Sequence, residues 1–173
     1  MILKEAVQQD FDRIKEFYLY VIENTETMKD CCRWIYGLHP NDEMISGYID
    51  SGDMYYSEKD GKIISVIAVT KKQDEDYHDV PWQKKLADDE VAVGHIMCVD
   101  PALKRQGLAK ETMKSVCELC RRLGKKAYRF DALASNIPAL SLYDSLGCKR
   151  ITERHWYACN IGWTDFILFE LLL

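Results

Sequence analysis

The chain has 173 residues, 47% of them hydrophobic, and a formal charge of −5. That length suits one domain spanning residues 1–173 with a complete core, and the acidic balance excludes a general binder of nucleic acid or anionic membrane, since both need a basic footprint. Seven cysteines form an odd set behind an N-terminus, Met-Ile-Leu-Lys-Glu-Ala, that mixes charge with apolar residues; this pattern fits neither a secretory leader nor a membrane anchor and points to reduced thiols in the cytoplasm.

Residues 2–7 read as a short strand, after which Asp10 is placed to cap a helix with the apolar stripe Phe11, Ile14, Phe17, Tyr18, Val21 and Ile22. A second helical stripe follows at Met28, Cys31, Ile35 and Leu38, and a third, after Pro40, at Met44, Ile45, Tyr48 and Ile49. Residues 54–58 and 62–72 are two strands joined at Asp60-Gly61, a strong hairpin signal; the second is apolar on both faces and so belongs in the middle of a sheet. Residues 73–90 then interrupt the pattern with seven acids around Pro81-Trp82. A loop of that length inside a domain is often a lid or a binding wall, with Trp82 pinning it to the body.

Residues 91–99 form another buried strand. A helix ending near Gly124 follows, with the stripe Ala109, Met113, Val116, Cys117, Cys120 and Leu123. Cys117 and Cys120 read as buried thiols rather than half a metal site, because no second ligand pair lies nearby. Residues 127–133 alternate as a half-buried strand, and Asn136 caps a short helix that has Pro138 in its first turn and Gly147 at its end. Residues 148–157 and 164–172 close the chain as a hairpin-like pair. Strand-helix-strand over residues 91–133 implies a parallel pair and the hairpins imply antiparallel ones, so the sheet is mixed.

Between the buried strand and the long helix runs Val99-Asp-Pro-Ala-Leu-Lys-Arg-Gln-Gly-Leu-Ala109. Backbone N–H groups in the first turn of a helix have no partners and carry the positive end of the peptide dipoles, so this turn has the character of a phosphate cradle. From Asp100 to Lys126 eight bases stand against three acids, a basic island suited to a small polyanion in an otherwise acidic chain. An ordinary connection with a soluble helix face accounts for the same residues. The segment downstream decides between them.

Strand, Val-Asp-Pro, Lys104-Arg105-Gln106-Gly107-Leu108-Ala109, long helix, strand, and then Ala-Ser-Asn136-Ile-Pro-Ala-Leu-Ser-Leu-Tyr143-Asp-Ser-Leu-Gly147 is an order that resembles the GNAT superfamily of acetyl-CoA-dependent N-acetyltransferases. The resemblance is specific over residues 91–147. Lys104 stands where the family's turn carries Gln or Arg, and Cys148 where its second motif carries Phe. The resemblance implies an α/β (α+β) fold with a mixed, mostly antiparallel twisted sheet of six to seven strands, helices on both faces and a splayed central cleft. It also implies acetyl-CoA as co-substrate, with no metal. The turn, with Lys110 behind it, wraps the pyrophosphate of coenzyme A; backbone groups of Met97, Cys98 and Val99 pair with pantetheine, and Asn136 reaches the same arm.

Acetylation of an amine needs a neutral nucleophile, a polarised thioester carbonyl and a proton for the departing thiolate. Tyr143 matches the family's general-acid tyrosine, and a phenol of reference pKa ~10 stays protonated at neutral pH; a core tyrosine is the alternative. For the base, Asp131 resembles the position at which the subfamily acting on protein N-termini carries a glutamate. Glu90 and His95 compete with it, and strand parity sets those two on opposite faces unless a bulge intervenes. Cys98, in an apolar strand, lacks the surroundings of a reactive thiolate. An amine of a small molecule or a peptide is the expected acceptor, in a monomer or homodimer, and a non-catalytic coenzyme A sensor is the competing reading. Tyr18, Tyr36, Tyr48, Tyr55 and Trp156 are candidate wall residues, and the acids of residues 74–89 favour a cationic acceptor.

Overall fold

Asp60 and Gly61 both take positive φ, 52° and 76°, the geometry that matches the twist of paired strands. They join β2 (Met54–Lys59) to β3 (Lys62–Thr70), and a two-residue strand β1 (Lys4–Glu5) lies along the outer edge of β2. The computed structural model describes Met1–Leu173, and its remaining strands are β4 (Val91–Val99), β5 (Ala127–Leu133), β6 (Lys149–Ala158) and β7 (Gly162–Leu172). All seven make one sheet in the order β1-β2-β3-β4-β5-β7-β6, antiparallel except where β4 meets β5. No helix is long and apolar enough to cross a membrane.

The helices cover both faces. Helices α1 (Phe11–Asn24) and α2 (Asp42–Asp50) bury Ile14, Phe17, Tyr18, Val21, Ile45 and Ile49 against Met54, Tyr56, Val66 and Ala68. On the other face α3 (Leu108–Arg122) and α4 (Ile137–Ser145) bury Met113, Val116, Cys120, Leu140 and Tyr143 against Tyr55, Ile67, Tyr128, Phe130 and Phe169. Such period-2 alternation along each strand and the helical stripes above it produce two apolar layers with the sheet between them.

Three sequence expectations are corrected. Residues 25–41 are a run of turns rather than a helix: Arg33 and Gly37 take positive φ, and of the supposed stripe only Met28 is buried while Ile35 and Leu38 stay exposed. Asp10 does not cap α1; its Oδ2 accepts from the Val7 N–H at 3.1 Å and closes a single 3-10 turn ahead of the helix. Asn41 is the side chain that caps as Asp10 was expected to, its Oδ1 accepting from Met44 N–H at 2.9 Å at the head of α2. The third correction is β5, whose Arg129 face is buried rather than solvated.

What positions the site is the parting of β4 from β5. The two strands pair from Val91 with Ala127 to Gly94 with Phe130 and no further, although β4 continues to Val99 and β5 to Leu133. Gly94 marks the fork for a steric reason: a Cβ there would sit 1.9 Å from Tyr128 Oη. Just beyond it Ile96 takes φ 44°, and Val66 and Ala68 on β3 face Cys98 and His95, so β4 carries one extra residue in a bulge. Tyr18 Oη donates to the Ile96 carbonyl at 2.9 Å and holds the bulge from α1. We expect Gly94→Ala to destabilise the fold by about 1–3 kcal/mol in chemical denaturation, with part of that loss recovered in a Tyr128→Phe background.

Candidate active site

Behind the fork lies a cavity of about 570 Å³. The bulge turns His95 and Ile96 to the same side of β4, so His95 leaves the sheet toward α2 and stacks on Tyr48, ring centroids 5.6 Å apart. Asp131 projects from β5 on that side, opposite to Phe130. Tyr143 enters from the other face on α4, its ring edge-on to Phe130 at 4.6 Å and to Phe169 at 5.2 Å. Because the sheet is open at the fork, side chains from its two faces line one space: Asp131, His95, Tyr143 and Asn136 all border the cavity.

Each has a defined environment. Burial raises the Asp131 carboxyl above the ordinary carboxylate range, against the pull of a Tyr77 hydrogen bond and of His95 and His39. Tyr77 Oη donates to Asp131 Oδ1 at 2.6 Å. His95 and His39 are both pulled down by burial, which outweighs the attraction of Asp131 and favours neutral imidazoles. The Tyr143 phenol is pushed up by burial and makes no hydrogen bond within the chain. Asn136 uses both ends of its amide, Oδ1 accepting from Ala139 N–H at 3.3 Å as the α4 cap and Nδ2 donating to Cys32 Sγ at 3.3 Å.

Other sequence candidates are sorted by position. Glu90 lies outside the cavity, where it accepts from the Ala87 N–H and pairs with Lys126, so the structure removes it from the set of groups that meet at the fork. The Cys98 thiol is buried and pushed well up, the opposite of a poised nucleophile. Met97 borders the cavity, and beyond Gly94 no strand covers the edge of β4 that carries Met97, Cys98 and Val99. Tyr48 and Trp156 line the cavity, whereas Tyr18 holds the bulge, Tyr36 bonds Asp42 at 2.5 Å and Tyr55 packs under α3.

The basic turn follows from its backbone. Asp100 accepts from Ala102 N–H at 2.8 Å and shapes a 3-10 turn at Pro101–Leu103, after which Arg105 and Gly107 take φ 64° and 79° and α3 begins. From Lys104 through Lys110 no backbone N–H finds a partner in the chain. A Cβ on Gly107 would meet nothing within 4 Å, so the space before the helix is open. Side chains of Lys104, Arg105 and Gln106 are exposed, and Lys104 Nζ stays 3.9 Å from the nearest acid, Glu26. Uncovered amides, a helix N-terminus and exposed cations together fit a pyrophosphate.

The far end is walled by the excursion of residues 73–90, as its length leads one to expect, but the anchor that holds it there is a buried ion pair with no local signal in the sequence. Residues 73–90 fold back over Arg129, whose guanidinium donates from Nε and Nη2 to Glu170 Oε1 at 2.9 and 2.8 Å, from Nη2 to the Lys84 carbonyl at 2.9 Å and from Nη1 to Gln73. Glu170 Oε2 accepts from Gln83 N–H at 2.9 Å, and Trp82 lies over Arg129 at 4.3 Å, pinning the excursion as expected. This anchor presents Asp74, Asp76 and Tyr77 to the cavity. A buried anchor this far from its loop in sequence leaves no local signal; the unusual length of the acidic excursion was the only hint. On the opposite wall, Asn160 Nδ2 donates to the Arg33 carbonyl at 2.7 Å and Cys159 Sγ to the Leu38 carbonyl at 3.4 Å, tying the β6–β7 tip to residues 25–41.

The model of the acetyltransferase (GNAT) family matches residues 8–148. The chain belongs to that family. GNAT members are N-acetyltransferases that use acetyl-CoA, and no group of three or more His, Cys, Asp or Glu side chains gathers here to hold a metal. Among similar sequences is the ribosomal protein bS18 alanine N-acetyltransferase of Escherichia coli K12, 32% identical over 76 residues, 43% of this chain and 51% of that protein. The chain thus spans about half the length of the curated relatives it matches. Similar solved structures include the ribosomal-protein-alanine N-acetyltransferase of Brucella melitensis, with TM-score 0.71, 13% identity and 100% of both chains covered. A Salmonella typhimurium protein solved with its cofactor acetyl-CoA is also similar, with TM-score 0.67, 17% identity, and 99% of this chain and 93% of that one covered. At these identities the GNAT likeness is one of fold.

Breaking the anchor of this GNAT domain should be costly, because it strands a buried charge. Glu170→Gln is expected to lower stability by about 3–5 kcal/mol, read by urea denaturation, and to speed proteolytic cleavage within residues 73–90.

Proposed function

We propose that the chain transfers an acetyl group from acetyl-CoA to the primary amine of a cationic small molecule or peptide by direct attack in a ternary complex. One observation carries this reading: Tyr143 and Asp131 reach the same cavity from opposite faces of the sheet, through the fork that begins at Gly94. The basic turn from Lys104 to Lys110 holds the pyrophosphate on its backbone amides, and the uncovered edge of β4 at Met97, Cys98 and Val99 pairs with pantetheine, with Asn136 at its side. The thioester then lies at the fork, between acid and base.

Asp131 takes a proton from the incoming ammonium, and its raised carboxyl makes it a better acceptor than an ordinary aspartate. The neutral amine attacks the thioester carbonyl, so that the C–N bond forms and the C–S bond breaks. Tyr143 gives its phenolic proton to the departing thiolate, and the proton that the acylated nitrogen sheds passes through solvent to restore the phenol. A phenol held up by burial is fully protonated at neutral pH and has no competing partner for that proton. His95, neutral and on the same side as Asp131, is the second base candidate and can relay a proton. The acidic side chains lining the cavity are Asp74, Asp76 and Asp131, with no Lys or Arg among its lining residues, which supports a cationic acceptor.

An amine panel that includes a peptide beginning with alanine and a short diamine, assayed by release of free thiol, tests the reading. Turnover of at least one amine is expected, and Tyr143→Phe should lower kcat by about 100-fold or more with coenzyme A affinity unchanged. An undiminished rate in that variant removes the acid; tight coenzyme A binding with no turnover of any amine means a sensor. Activity requires the Asp131 carboxylate, so kcat/KM is expected to fall as pH drops through its raised pKa, above the ~3.9 of a free aspartate.

A further inference from the structure

We propose that Tyr77, carried to the site by the excursion of residues 73–90, is a positioning residue that acts through Asp131: its hydroxyl fixes one carboxylate oxygen and leaves the other for the amine. This rests on the assignment of Asp131 as base. Three observations support it. The Tyr77 Oη to Asp131 Oδ1 distance is 2.6 Å, a short bond of the kind a carboxylate accepts, while Oδ2 has no hydrogen bond from another residue and Asp131 is part-open to the cavity. The Tyr77 ring is itself held, 5.4 Å from Trp82 and stacked on Trp156 at 6.1 Å with a 17° interplanar angle, and its carbonyl accepts from Trp82 Nε1 at 2.8 Å. Its segment is locked to the sheet through Arg129 and Glu170, so the hydroxyl is delivered by a rigid support rather than a loose loop.

The chemistry follows from the sign of the interaction. A phenol that donates to a carboxylate favours its charged form, and so opposes the burial that drives Asp131 toward the neutral acid. Without that donor the base would be protonated over more of the working pH range. Other groups facing Asp131 are His95 on β4, His39 from residues 25–41, Tyr48 on α2 and Tyr143 on α4, with Asp74 from the excursion close to His95 and Tyr77. Tyr77 alone among these makes a hydrogen bond to the carboxylate.

Tyr77→Phe keeps the ring between its two tryptophans, so a thermal melt close to wild type is the expected control. Two readouts then test the role. The acid limb of kcat/KM for the best amine of the panel should move up by about one pH unit, and the side-chain ¹³C resonance of Asp131 should titrate about one unit higher than in the wild type. A lowered rate with both midpoints unchanged overturns the proposal and leaves Tyr77 as packing. If Tyr77→Phe fails to fold, Trp82→Phe tests the same support from one step back, with an upward shift expected and an unmoved Asp131 titration overturning the role. A wild-type chain that acetylates no amine sinks the transferase reading, whereas the ¹³C titration still decides whether Tyr77 governs the carboxylate.

Discussion

Everything that matters for chemistry in this chain depends on two adjacent parallel strands failing to stay paired. Parallel strands in the middle of a sheet would ordinarily bond along their whole length, since each unpaired amide in a dry interior costs free energy. Here three local devices part them. Tyr128 occupies the space where a side chain at residue 94 would lie, Ile96 bulges with its carbonyl bonded to Tyr18, and β5 pairs from Ala127 to Leu133 with β7 on its other edge. The first two belong to β4 and its neighbours, and the third keeps β5 rigid while β4 departs. A fork made this way is part of the core rather than a gap in it.

The second dependence is the buried Arg129–Glu170 pair, both residues within 1% of complete burial. Burying two charges costs several kcal/mol per ion, and their attraction offsets this only when the remaining donors and acceptors are satisfied. Arg129 meets that condition with Gln73 and the Lys84 carbonyl, and Glu170 with both nitrogens of Gln83. Every one of those extra partners comes from the excursion. The pair therefore favours a docked excursion over a free one, since undocking would strip the charges of their satisfaction without returning them fully to water. Apolar residues of equal volume would fill the same space but would not specify which loop covers it.

How much of this was legible follows from what kind of interaction each feature uses. The Asp60-Gly61 hairpin, the buried strands, the α3 stripe from Met113 to Cys120 and the cap at Asn136 are local patterns that are present as read, whereas Leu123 at the end of the stripe falls just past α3 and is exposed. The turn from Lys104 to Gly107 and the Asn136 to Gly147 segment carried the GNAT resemblance because they too are contiguous. Failures were of the opposite kind. Residues 25–41 had helical spacing of apolar groups, yet residues 158–162 and the Cys32–Asn136 contact fix them as turns. Glu90, a carboxylate at the start of the strand beside β5, is drawn away from the fork by the Ala87 N–H and Lys126. Tyr77, His39 and Trp34 reach the cavity only through tertiary contacts, which no window of sequence contains.

Charge placement gives the last step. The net −5 of the chain conceals a separation of charge: exposed bases and unpaired amides at the turn before α3, and carboxylates at the cavity wall built by the excursion. Each end attracts one sign of ligand, and each end repels the other's. Such a separation steers anionic and cationic groups to different parts of the surface before any contact specificity is needed. Because the wall carboxylates Asp74 and Asp76 are exposed, their influence is long-range and screened by salt, while Asp131, at the fork, acts at short range. Long-range attraction of a cation and the short-range hydrogen bond to Asp131 are thus separate properties of one acidic wall, and the excursion that carries Tyr77 supplies a part of each.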